Sequence, residues 1–243
     1  MKSANIGWIV ASVGMALSAC GPAPSATENR AEVRWRMTIN VDTPEGTRSG
    51  SSVWSLTLSE PRVALVSPYN SDFVAEAVAV ELPNDQVLFG PIYQNARSIQ
   101  LLPERHFEGL GFNARLEDRL GNLRSVASNV GATHEIPCQT PEPGDEAWQA
   151  RFDCLPLVAF RDLDDPTSVF KVDYSNASQS LGDGYAINSI VMTITDEKPS
   201  TTIHARLPWL SSLNNSEYQW EKLPDGIFQG AFGMNFSRGL DAP

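Results

Sequence analysis

From Val33 to Val41, apolar residues occupy every second position. Val33, Trp35, Met37, Ile39 and Val41 alternate with Arg34, Arg36, Thr38 and Asn40. Side chains of a strand point alternately to its two faces, so this period demands a strand with one face buried and one in water. Turn residues follow at Asp42-Thr43-Pro44-Glu45-Gly46 and Ser49-Gly50. Then Trp54, Leu56 and Leu58 alternate with Ser55, Thr57 and Ser59. The pattern predicts a β-hairpin with Trp35 and Trp54 in the core.

Further segments carry strand signals. Phe73–Leu82 is rich in Val and Ala, Pro83-Asn84-Asp85 interrupts it, and Val87–Ile92 resumes, which predicts a second hairpin. An Ala-rich helix competes for the first arm. Leu155–Phe160 and Thr167–Val172 flank Asp162-Leu163-Asp164-Asp165-Pro166, a third hairpin. Ile190, Met192 and Ile194 mark another strand, and Ile227–Phe236 a last one. Residues 98–125 have loose helical spacing that Pro103, Gly109, Gly111 and Gly121 cut into short pieces. Gly144–Phe152 reads as a short helix, and Ile203–Trp209 as a helical turn stopped at Pro208. The fold class expected is mainly β, a β-rich α+β arrangement. It has one or two mostly antiparallel sheets built from hairpins, with a few short helices.

The N-terminus has a different character. Lys2 precedes a mostly apolar run from Ile6 to Leu17, too short for the ~20 apolar residues that span a bilayer. It has the length of a signal-peptide core. The run ends Leu17-Ser18-Ala19-Cys20. This tetrad resembles the lipobox of bacterial lipoproteins. The resemblance implies cleavage before Cys20, lipid on its sulfur, and attachment to a membrane. Several acyl chains on one cysteine make a firm anchor, whereas one chain is marginal. Gly21, in place of Asp, points to the outer membrane, with the domain facing the periplasm. Residues 20–31 lack large apolar groups and read as the lipidated cysteine and a flexible tether. The expected organisation is a signal peptide over 1–19, the tether over 20–31, and one globular β-rich domain over 32–243. The run Val41–Gly46 and Arg48–Val53 is similar to the opening of uncharacterised proteobacterial envelope proteins, a resemblance that carries no activity.

Without residues 1–19 the chain keeps 29 acidic residues against 17 basic ones, a formal charge of −12. Phosphate backbones need clustered Lys and Arg, so nucleic acid is not an expected partner. With Cys20 taken by lipid, Cys138 and Cys154 remain, an even pair that an oxidising compartment would join. Closing a loop of that size stabilises by roughly 3 kcal/mol when unstrained. Zinc held by both thiolates and His134 is the competing reading, although zinc ligands come in tighter pairs.

The sequence holds no G-x-S-x-G elbow, no P-loop and no dinucleotide fingerprint, so no catalytic residue, metal or cofactor is assigned. His106, His134 and His204 are the histidines available to a triad. The Asp162–Asp165 loop lacks the EF-hand spacing for calcium. Trp209 and Trp220, outside the strong strand signals, are candidates for partner binding, or for plugging a sheet end. The expectation is therefore a non-enzymatic binding or assembly module at the cell envelope, with an envelope protein or glycan as partner. The alternative is a periplasmic hydrolase of cell-wall or ester substrates.

Overall fold

The computed structural model describes residues 30–60, 70–92, 100, 102–108, 116–138, 155–212 and 236–238. Among these the strands are β1 (Arg30–Asp42), β2 (Arg48–Ser59), β3 (Asn70–Glu76), β4 (Val78–Glu81), β5 (Val87–Gly90), β6 (Thr133–Glu135), β7 (Leu157–Phe160), β8 (Val169–Val172), β9 (Ala186–Ile194) and β10 (Ser237–Arg238). The helices are α1 (Leu102–Glu108), α2 (Leu116–Ser128), α3 (Ser178–Leu181) and α4 (Ile203–Arg206), and 3₁₀ turns occur at Pro166–Ser168, between β7 and β8, and at Pro208–Ser212, after α4. The strands form two antiparallel sheets. The larger has order β10-β3-β2-β1-β9-β6, and the smaller β4-β5-β7-β8. The chain is thus a β-rich α+β protein.

The period-two segment is the central strand of the larger sheet. β1 pairs with β2 along its length, with Trp35 opposite Trp54 and Ile39 opposite Gly50. Its other edge pairs with β9, with Met37 opposite Met192. Thr43 and Gly46 exchange backbone hydrogen bonds in the β1–β2 turn, and Gly46 takes φ +112°, which glycine adopts without strain. Val33, Trp35, Met37, Ile39 and Val41 are all buried. Trp35 stacks on Phe73 at 5.9 Å and meets Trp54 edge-on at 6.1 Å. Such ring pairs contribute roughly 0.5–1.5 kcal/mol each beyond their buried area.

Two bodies cover this apolar face. The smaller sheet lies over the Ile39 end, where Ile39 Cδ1 fills the space beside Gly90. Helix α2 packs on β1 through Leu120, Leu123 and Val126, near the Arg30 end, where Arg124 donates to the Arg30 carbonyl. The far side of the smaller sheet carries a second core of Phe89, Val158, Phe160 and Val169. Ile203, Leu207, Leu210 and Phe236 cover it. The opposite face of the larger sheet is crossed by the chain after β9. Arg34 donates to the Asp196 carbonyl, Arg36 pairs with Glu197, and Ser200 exchanges hydrogen bonds with the backbone of Val53.

Two expectations are corrected. The Phe73–Leu82 run is not one hairpin arm. It divides at Ala77, so β3 joins the larger sheet and β4 the smaller, and only β4 pairs with β5. A run that changes sheets is buried first on one face and then on the other, and so reads as apolar throughout. Gly121 does not interrupt a helix: α2 runs through it, and the space where its side chain would point is open. Among the described residues the last strand is β10, directly after the predicted Ile227–Phe236 strand. Residues 227–235 lie outside the described residues, as does the whole of the predicted helix Gly144–Phe152. The third hairpin forms as β7 and β8.

Candidate functional site

The described histidines occupy two places. β6 is an edge strand, and its pairing with β9 sets His134 opposite Met192. His134 thereby meets His106 of α1, with ring centroids 4.2 Å apart. Burial first, then the neighbouring charges of His134 and Arg105, push the His106 pKa down to about 4. Its Nε2 is buried and makes no hydrogen bond. Among the described residues, no three His, Cys, Asp or Glu side chains gather as a metal site.

His204 lies on α4. Its Nδ1 is 3.2 Å from Ser211 Oγ, and its buried Nε2 makes no hydrogen bond. A serine-type triad requires a carboxylate on the second nitrogen to hold the imidazole's tautomer and orientation. The pair has the first contact and lacks the second.

A polar concavity lies elsewhere, at the free edge of the smaller sheet. An open cavity of about 720 Å³ is lined by Gln86, Arg161, Phe170, Lys171, Val172, Asp173, Gln179 and Ser180. That size suits a small-molecule ligand. β8 supplies its floor, because β8 is the outermost strand of its sheet. The β4–β5 turn supplies Gln86, held by a hydrogen bond from Asn84. Helix α3 supplies Gln179 and Ser180, and the Ser180 hydroxyl reaches the Lys171 carbonyl at 3.4 Å. The Arg161 guanidinium carbon stands 5.8 Å above the Phe170 ring. This cation–π placement orients the side chain. Ser175 donates its hydroxyl and backbone N–H to Asp173, bonds that hold the Asp173 carboxyl below the usual range and keep it ionised. Neither Arg161 nor Lys171 forms an ion pair among the described residues. Arg34, Arg36, Arg48, Arg119 and Arg206, by contrast, are each matched to a glutamate.

Of the residues singled out by the sequence, Cys138 is buried and is not a free thiol. Cys20, Cys154 and Trp220 lie outside the described residues. Trp209 is half-buried over the second core, beside Phe160 and Phe236, and its indole N–H donates to the Leu163 carbonyl at 2.7 Å. The acidic loop is occupied with its own turn: Asp162 accepts the Asp164 N–H, and Asp165 accepts the N–H and hydroxyl of Thr167. The cavity itself was missed, because its side chains come from three separate segments. The one local signal was Arg161 and Lys171 on facing arms of the same hairpin.

Comparison with protein-family models, curated proteins and solved structures finds no match.

Proposed function

We propose that the chain is a bacterial lipoprotein, acylated on Cys20, whose β-rich domain is a non-enzymatic binding or assembly module at the cell envelope. The observation that carries this reading is the tetrad Leu17-Ser18-Ala19-Cys20 behind an apolar run of signal-peptide length. The domain's position fits the same plan. β1 begins at Arg30, only ten residues beyond Cys20, so the domain would sit close to its membrane. In this reading the membrane is the outer one, the domain faces the periplasm, and Cys138 pairs with Cys154. Intact-mass measurement of the protein made in a bacterial host tests it. The expected product has lost residues 1–19 and gained acyl chains on Cys20. An uncleaved or unacylated chain would falsify the reading.

One contact favours the hydrolase alternative, the approach of His204 to Ser211. A fluorophosphonate probe decides that point. Labelling of Ser211 that disappears in His204→Gln would establish a nucleophile. An unlabelled Ser211 leaves the binding module as the sole reading.

A further inference from the structure

We infer that the cavity on the β8 edge is a binding site for an acidic saccharide, a carboxylate-bearing sugar of about disaccharide size. This deepens the binding-module reading and rests on that part of it.

The cavity has two chemically opposite ends. At one stands Arg161, positioned over Phe170 and without an ion pair among the described residues. A guanidinium offers a planar fork of donors that matches a carboxylate. At the other stands Asp173, ionised and anchored by Ser175, an acceptor of hydroxyl hydrogens. The same lining carries the amides of Gln86 and Gln179 and the hydroxyl of Ser180, groups that both donate and accept. Phosphate alone would satisfy Arg161 and be repelled at Asp173. A neutral sugar would satisfy Asp173 and leave Arg161 unmatched. A sugar acid presents one carboxylate and several hydroxyls on a single rigid ring, and so answers both ends. Lys171 lies opposite Val158 of the second core, on the other side of the pleat from Phe170, and therefore adds positive charge without a directed contact. The rest of the chain is strongly acidic, so these two cations are a local exception that offsets repulsion of an anionic ligand.

Isothermal titration calorimetry on the full chain, as produced in a bacterial host, tests the assignment. The probes are a disaccharide ending in glucuronic acid, its neutral counterpart ending in glucose, an acidic dipeptide, and inorganic phosphate. The acidic disaccharide is expected to bind at least roughly tenfold more tightly than the other three, and Arg161→Gln to lose roughly tenfold or more of that affinity. Gln179→Ala, checked for an unchanged melting temperature, is expected to lose severalfold and serves if Arg161→Gln folds poorly. The assignment is overturned if the acidic disaccharide does not bind. It is also overturned if phosphate, dipeptide or neutral sugar binds as tightly, or if both variants bind like the parent. Intact mass on the same sample reports Cys20 acylation separately, so loss of the anchor and loss of the ligand are distinguishable.

Discussion

The carboxylate of Glu76 accepts the backbone N–H of Ile203 at 2.9 Å, across 127 residues of chain. The Thr202 hydroxyl donates to the same carboxylate at 2.9 Å, and the Glu76 carbonyl accepts from Trp54 Nε1 at 2.8 Å. One residue at the point where the chain leaves the larger sheet thus ties β2, β3 and α4 together. Glu76 is 2 % exposed, so removing its carboxylate leaves the buried Ile203 N–H without its acceptor, while the Trp54 bond to the backbone carbonyl survives. Glu76→Ala is expected to lower unfolding free energy by about 2–4 kcal/mol, read from urea denaturation. A loss near zero would show that the contacts are dispensable.

Glycine substitutions separate close approach from open space. At Gly50 an added Cβ would fall on the carbonyl of Ala79, where the two sheets touch backbone to backbone. Gly50→Ala is expected to destabilise by about 3 kcal/mol or more, because backbone cannot step aside as a side chain can. Gly121→Ala, inside α2 with no neighbour in the way, is expected to stabilise by about 0.5–1 kcal/mol. Thermal melts of the two variants should move in opposite directions.

Glu104 on α1 and Arg119 on α2 form a buried ion pair, with three hydrogen bonds of 3.0–3.2 Å. Burial raises the Glu104 pKa, and the hydrogen bond and charge of Arg119 act against that rise. Removing Glu104 takes three hydrogen bonds from a buried guanidinium. Glu104→Ala is expected to cost about 3–5 kcal/mol, while Glu104→Leu combined with Arg119→Met costs less than either single change. A double-mutant cycle measures the coupling, and strict additivity would contradict the pairing.

The His106–His134 contact predicts a pH effect of definite sign. Folded His106 titrates at about 4, below its ordinary value of 6.5. Between these values the unfolded chain binds a proton that the folded chain refuses, so its contribution to stability falls as the pH drops from 6.5 toward 4. His106→Gln should flatten that part of the stability–pH curve. Urea midpoints at pH 7, 5.5 and 4.5 check it, and an unchanged slope would contradict the prediction.

The parts of this fold legible in the sequence are those with one periodicity and one face. β1 and β2 alternate cleanly because one side of their sheet is core and the other largely polar. The split at Ala77 was hidden because sequence records burial and not which sheet supplies it, although an acid at Glu76 inside a Val/Ala run was a mark of something unusual. α2 was fragmented by the weight given to Gly121, while Leu120, Leu123 and Val126 carried the helical signal. The cavity was illegible for a different reason. Gln86, Arg161 and Gln179 are ordinary surface residues in sequence, and only the sheet edge brings them to one place.

The pairing of β1 with β9 has a consequence for how the protein is made. Among the described strands β1 is made first and β9 last but one, so the centre of the larger sheet waits for its second neighbour until Ala186–Ile194 has emerged. Until then one edge of β1 presents unpaired backbone beside the indole of Trp35, a template on which a wrong strand could settle. Conditions that slow synthesis or delivery of the C-terminal half should therefore raise aggregation before they lower the stability of finished molecules.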